Sequence, residues 1–232
     1  MADSPQLIPT ISLPLAIWGE GYGQFLPQWF AGVASLEREI AEIVIVCDEA
    51  NLPAVMSACP DFSKIRIRVE DHPGYSEYWN RAIELCTSDW LAICNADDYF
   101  LPEALNEIGQ AHLDGCNLIC DHLIHKHSNY RQSARWEPEA LDTQFNLMGA
   151  NAMTKRLWEA SGGFPKGVRF ADWGLALRMR KTGLVKPFYA STTRIVYDVG
   201  TDRPTLSGAS LPGDKRTEGE NQIRKIAQEL PL

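Results

Sequence analysis

The sequence has no apolar run of the ~20 residues a bilayer-spanning helix needs. Residues 1–10 have neither the basic stretch nor the apolar core of a secretion signal. These absences lead us to expect a soluble, cytoplasmic chain. Basic residues are in deficit: 22 Lys and Arg stand against 30 Asp and Glu, a net charge of -8. Such a surface repels nucleic-acid phosphates, so DNA and RNA are poor partners unless charge is strongly segregated. A small anionic ligand would need local basic groups or a metal ion to offset the same field. No internal repeat and no low-complexity tract is present. The segment Gly21-Tyr22-Gly23 is too short, and wrongly continued, for a dinucleotide fingerprint. The six cysteines (Cys47, Cys59, Cys86, Cys94, Cys116, Cys120) are scattered among apolar residues. They read as buried thiols, not a disulfide framework.

What is present is a core-forming composition, 45% hydrophobic over 232 residues, which suits one domain of above-average size. The first two-fifths alternates apolar β-type runs with helical spacing. Strands are predicted at 11–17, 42–47, 65–69 and 90–94, and helices at 25–39, 53–59, 76–86 and 102–113. Ser76 is the expected cap of the third helix. Strand and helix in alternation imply a parallel sheet with helices on both faces, with ligands beyond the carboxyl ends of the strands. That rule brings Gly19 and Glu20, Asp48, and Asn95, Asp97 and Asp98 to one sheet edge.

The second half is less regular. Strands are predicted at 116–127, 147–153, 185–189 and 194–197, and helices at 155–161 and 172–182. Residues 201–214 read as a mobile loop. A polar helix over 218–230 carries one apolar stripe. Cys116, Cys120, Asp121, His122, His125 and His127 have the residue types of a zinc site. Strand alternation puts Cys120 and His122 on one face and His125 and His127 on the other. The segment therefore reads as a strand beside an acceptor pocket.

Asp97 and Asp98 are adjacent carboxylates in a turn after a strand. They repel each other unless a cation lies between them, and Mg²⁺ or Mn²⁺ would take their oxygens together with substrate phosphates. On the segment alone, a helix-capping acidic turn is an equal reading.

Five motifs in order now bear on the choice. They are Ile11-Ser12-Leu13-Pro14-Leu15-Ala16-Ile17-Trp18; Val44-Ile45-Val46-Cys47-Asp48; Gly74-Tyr75-Ser76-Glu77-Tyr78-Trp79-Asn80-Arg81-Ala82-Ile83; Leu91-Ala92-Ile93-Cys94-Asn95-Ala96-Asp97-Asp98; and Ser161-Gly162-Gly163-Phe164 with Phe170-Ala171-Asp172-Trp173. Together they resemble the family 2 glycosyltransferases of the GT-A fold, over residues 11–197. The resemblance implies an α/β fold with one GT-A domain over 1–200, a Rossmann-like, mixed but mostly parallel sheet flanked by helices. Its nucleotide-binding half would span 11–115 and its acceptor half 116–200, followed by the loop and helix of 201–232. It implies inverting, metal-assisted transfer of a sugar from a nucleoside diphosphate to an acceptor hydroxyl on a glycan, lipid-linked or protein acceptor.

By the same resemblance, Asp97 and Asp98 hold Mn²⁺ or Mg²⁺, and Asp172 is the catalytic base. Ala16, Trp18, Glu20, Asp48, Asn80, Asn95, Ala96 and Asp97 bind the nucleotide sugar. Trp136 and Trp173 are candidates for stacking on the acceptor. The chain departs from the family pattern at four places. Asn95 replaces the first Asp of the metal turn, Trp79 an Arg, and Ala171 a Glu. Tyr197-Asp198-Val199-Gly200 stands where a His is common, with Asp198 or Asp202 as substitute ligands. Those departures keep a second reading open, a catalytically silent nucleotide- or glycan-binding module. A sugar nucleotidyltransferase is disfavoured, because no Gly-rich loop bearing Arg or Lys follows the first strand.

Overall fold

The computed structural model describes residues 9–19, 21–60, 63–145, 147, 152–197 and 213–229. The first half runs β1 (Ile11–Ile17), a 3-10 turn (Tyr22–Phe25), α1 (Leu26–Ala34), β2 (Glu42–Cys47), α2 (Leu52–Ala58), β3 (Ile65–Val69), α3 (Tyr75–Leu85), β4 (Trp90–Ala92), β5 (Tyr99–Phe100) and α4 (Ile108–Leu113). The second half runs β6 (Leu118–His125), β7 (Arg131–Ser133), β8 (Ala152–Thr154), α5 (Lys155–Ser161), α6 (Ala171–Thr182), β9 (Pro187–Tyr197) and α7 (Gly213–Glu229). One sheet has the order β3-β2-β1-β4-β8-β6-β9-β5, with β7 paired to β6.

The stretch β3-β2-β1-β4 is parallel throughout, as alternating strands and helices require. Every residue of β1 and β2 is buried, because helices cover both faces. Leu13, Leu15, Ile43 and Ile45 face the layer of α1, α2 and α4, while Ala16, Val44 and Val46 face α3 and, beyond it, α5 and α6. Beyond β4 the sheet turns mixed. β8 is antiparallel to both β4 and β6, and β9 is parallel to β6. The carboxyl ends of β1, β2, β4, β6 and β9 therefore share one edge.

Several predicted boundaries shift for local reasons. The first helix stops at Ala34, not 39; Ser35 Oγ donates to the Gly32 carbonyl at 2.7 Å, and the chain tightens into three-residue turns. Gly32 lets α1 press on β5, since a Cβ there would lie 2.8 Å from the Phe100 carbonyl. Residues 102–107 form successive turns before α4, so the predicted helix is halved. The two predicted C-terminal strands are one strand, β9. Its polar middle bulges, and Glu107 satisfies it by accepting from the amides and hydroxyls of Ser191 and Thr192 at 2.5–3.1 Å. β5 and β7 are two short strands absent from the sequence reading. Ser76 is not a cap: Gly74 occupies that position, and Ser76 Oγ donates to the Pro165 carbonyl at 2.6 Å.

Residues 201–212 of the expected loop lie outside the described residues, and Gly213 and Asp214 belong to α7. All six cysteines are free. The register shifts beside His122 fall in β9, while the Cys/His strand pairs with β7 in unbroken register, and among the described residues no such group of three or more could hold a metal. The histidines bond to β7 instead, His122 Nδ1 to Ser133 Oγ at 2.7 Å and His125 Nε2 to Gln132 Oε1 at 3.0 Å.

Candidate active site

The end of β2 carries Asp48. Its Oδ2 accepts the Gly19 amide at 2.8 Å, and its Oδ1 accepts the Asn51 amide at 2.8 Å and Asn51 Nδ2 at 2.7 Å. Burial works to raise its pKa, but the bonds from Gly19 and Asn51 outweigh it and hold the carboxyl below the ordinary range. Asn51 Nδ2 also reaches the Gly19 carbonyl at 2.8 Å. Asp48 thus ties the chain after β1 to the chain after β2. Glu20 lies outside the described residues.

Trp18 follows β1 and is half-buried among other rings. Tyr22 stacks on it at 5.6 Å and Tyr78 at 6.1 Å, while Tyr75 meets it edge-on at 5.1 Å. The candidate platform is this aromatic group, not Trp18 alone. Ala16 and Ala96 are buried, so only their backbones can serve a ligand.

β4 leads into the acidic turn. Asn95 Nδ2 donates to Asp98 Oδ2 at 3.1 Å, and the Asp98 amide donates to the Asn95 carbonyl at 3.1 Å. Asp98 is buried and Asp97 half-buried. Trp29 Nε1 donates to the Cys94 carbonyl at 3.2 Å and anchors the turn to α1. Burial raises the Cys94 thiol, and the nearby carboxylates of Asp98 and Asp97 raise it further. Among the described residues, no group of three or more His, Cys, Asp or Glu could hold an ion. Two protein carboxylates still suit a Mg²⁺-type ion that completes its shell from substrate phosphates. The donor set thus fits a metal carried by a diphosphate.

Asp172 sits in the first turn of α6, with its Oδ1 accepting the Trp173 amide at 2.9 Å. The residue is exposed, yet protein crowds its carboxyl enough for desolvation to raise the pKa above the ordinary value. Gly174 lets α6 seat against the preceding turn, since a Cβ there would lie 2.4 Å from Pro165 Cγ.

Two of the expected ligand contacts, Asn80 and Trp173, have partners within the protein. Asn80 spends its amide on the backbone of Phe164, giving Nδ2 to the carbonyl at 2.9 Å and accepting the amide at 2.8 Å. It locks α3 to the Gly-Gly-Phe turn. Trp173 donates Nε1 to the Leu141 carbonyl at 2.6 Å and stacks on Phe145 at 6.1 Å. Trp136 is half-buried against the core. Both tryptophans are half-buried. The sequence reading also missed Tyr22, Tyr75 and the ion pair of Glu70 with Arg81, whose Nε reaches Glu70 Oε2 at 2.9 Å. A run of Tyr and Trp at 75, 78 and 79, just past a strand end, was the available signal.

Residues 17–173, more than half of the chain, match the family model Glycosyl transferase family 2. The chain belongs to glycosyl transferase family 2. It is accordingly an enzyme of glycosyl transfer. No curated protein matches the sequence. Among solved structures, the fold is similar to S. aureus TarS 1-349 in complex with UDP-GlcNAc, with a TM-score of 0.72 and 11% identity over 96% of this chain and 68% of that one. It is also similar to the mannosyltransferase PcManGT from Pyrobaculum calidifontis in complex with GDP-Man and Mn2+, with a TM-score of 0.60 and 15% identity over 84% of this chain and 58% of that one. At these identities the likeness shows the GT-A fold. Among the described residues, no helix is long and apolar enough to cross a membrane.

Proposed function

We propose that this family 2 member transfers a sugar from a nucleoside-diphosphate sugar to an acceptor hydroxyl with inversion. The reading is carried by two acidic stations, one after β4 and one at the start of α6. Asp97 and Asp98 lie after β4 and Asp172 opens α6, and after burial the charges of all three help to raise the Tyr75 phenol above its ordinary range. Asp48 fixes the loop beneath the nucleotide, and the Trp18 group flanks it. Asp97 and Asp98 would hold Mn²⁺ or Mg²⁺, which offsets charge on the departing diphosphate. Asp172 takes the proton of the attacking hydroxyl, a role its raised pKa suits. The donors bound by the two similar structures, UDP-GlcNAc and GDP-Man, support this donor class.

Asn95 and the backbone-bound Asn80 favour a second reading, a silent nucleotide- or glycan-binding module. A thermal-shift screen of UDP-, GDP-, dTDP- and CDP-sugars with and without Mn²⁺ identifies the donor, because a ligand that binds the native state raises its stability. Hydrolysis of the bound donor is expected. Binding with no turnover across the panel would select the silent module, and no binding at all would remove the donor class.

A further inference from the structure

The helix that carries Asp172 is not capped from within. Phe170 holds the cap position of α6 and makes no side-chain hydrogen bond to it. The first amides of a helix have no partners inside it, so its start is held only as well as its surroundings hold it. α7 provides that hold from a single face. At Gly219 its backbone presses on the residues before α6: a Cβ there would lie 2.6 Å from Phe170 Cε2 and 3.2 Å from Arg169 Cδ. One turn later, Gln222 Oε1 accepts the Arg169 amide at 3.2 Å. Ile223 is buried in the core that also holds Ala171 and Leu175, and Ile226 packs against that core.

Positions 219, 222, 223 and 226 have the i, i+3, i+4, i+7 spacing of one helix face. The isoleucines and the glycine account for the packing of that face, and packing does not call for a glutamine within it. The hydrogen bond does. Beyond Asp172 the chain is already held, since Trp173 gives its amide to Asp172 Oδ1 at 2.9 Å and its Nε1 to the Leu141 carbonyl at 2.6 Å. Gln222 holds the side before Asp172, so the acid stands between two fixed points.

We propose that Gln222 is a positioning residue for Asp172. By holding the Arg169 amide it fixes the entry to α6, and with it the direction of the Asp172 carboxyl. This rests on the reading of Asp172 as the base given above. A base acts only from a near-attack position, and a displacement of about 1 Å can cost about 10²-fold in rate. The nucleotide loop after β2 is held by Asp48 and Asn51, not by α7. Loss of the Gln222 contact therefore acts on turnover and leaves nucleotide binding in place.

The test compares the wild type with Gln222→Met, which keeps the length but has only a weak acceptor, and Gln222→Glu, which keeps an acceptor oxygen. Hydrolysis of UDP-GlcNAc and of GDP-mannose is followed with Mn²⁺, UDP and GDP binding by calorimetry, and backbone amide exchange by NMR. Gln222→Met is expected to lower kcat about tenfold at constant KM and constant nucleotide affinity, and Gln222→Glu to restore most of the loss. Wild-type kcat in Gln222→Met would overturn the proposal. So would equal losses in the two variants, or a fall in nucleotide affinity that matches the fall in kcat, since either makes residue 222 a general prop. If the wild type turns over neither donor, the transfer reading fails, and amide exchange still decides Gln222. Faster exchange of the Trp173 amide in Gln222→Met, with β1 and β2 as in the wild type, supports the contact as what orders Asp172, and unchanged exchange overturns it.

Discussion

The Asn95 side chain donates to a carboxylate oxygen of Asp98 at 3.1 Å, at the position where the family pattern has an acid. A neutral donor there orients the buried Asp98 carboxyl. Asn95→Asp would replace that donor with a third carboxylate within four residues. The expected outcome is a turn that depends more on a cation. Mn²⁺ should strengthen UDP or GDP binding about tenfold more in the variant than in the wild type, or about 1.4 kcal/mol. In chelator the variant should melt lower, since the acids then repel one another. Calorimetry with and without Mn²⁺ checks this, and equal metal dependence in the two proteins would remove the metal turn.

Asp172 is the base proposed above, on its position in the first turn of α6 and the desolvation of its carboxyl. Asp172→Asn should lower turnover by about 10²–10⁴-fold while nucleotide affinity holds. The pH dependence has a definite sign. The base works ionised, and burial raises its pKa, so wild-type kcat should rise with pH through a limb above the ~3.9 of a free aspartate. The variant should lack that limb. A raised folded pKa also means that this group favours folding when protonated and that the contribution is lost as pH rises through the folded value. The Asn variant should therefore melt no lower than the wild type at pH 7. Equal losses of turnover and of nucleotide affinity would count against the base.

The two glycines that end α5 separate backbone strain from contact. Both have positive φ, 75° at Gly162 and 70° at Gly163. A Cβ on Gly162 meets nothing within 4 Å, whereas one on Gly163 lies 2.7 Å from Asn80 Oδ1 and 2.9 Å from the Trp158 ring. Gly162→Ala should cost only the left-handed strain, about 1–2 kcal/mol. Gly163→Ala should add the Asn80–Phe164 bonds, at about 1 kcal/mol each. Urea unfolding measures both, and equal costs would mean that the Asn80 lock contributes nothing.

Much of the nucleotide half is legible because it is made of local signals. Continuous apolar runs become strands buried on both faces, and the strands at 11–17, 42–47 and 65–69 stand at their predicted bounds. The helix at 155–161 does too, because Thr154 caps its start, accepting the Leu157 amide at 3.3 Å, and Gly162 closes it. What the sequence hid is set by contacts distant along the chain. β9 survives its polar middle only because Glu107, 84 residues earlier, caps the bulge. In the site, strand ends placed Asp48, Asp97 and Asp98 by rule. Whether Asn80, Trp173 or Tyr75 faces a ligand or the protein depends on partners at Phe164, Leu141 and Trp18. No spacing along the chain encodes those.

Arg194 and Asp121 form an ion pair between β9 and β6, Nε to Oδ2 at 3.0 Å, with side chains 1% and 0% exposed. The guanidinium Nη1 and Nη2 are among the buried polar atoms without a hydrogen-bond partner. A buried pair so sparsely bonded is poor stabilisation, since desolving two charges is not fully offset by one contact. Removing one partner is worse, because it strands a charge. Arg194→Met should therefore cost about 3–5 kcal/mol. Adding Asp121→Leu should return most of that loss, although it makes a second core substitution. The backbone carbonyl of Arg194, which accepts the Leu101 amide at 2.9 Å beyond the acidic turn, is kept in both variants. Turnover in the double variant then says what the pair is for. If stability and kcat both recover, the charges are incidental to catalysis. If stability recovers and kcat does not, the pair positions the strand end behind Cys94 and the acidic turn, whose thiol already feels the Arg194 charge. Additive losses in the two single variants, with no recovery in the double, would show that the pair is not coupled at all.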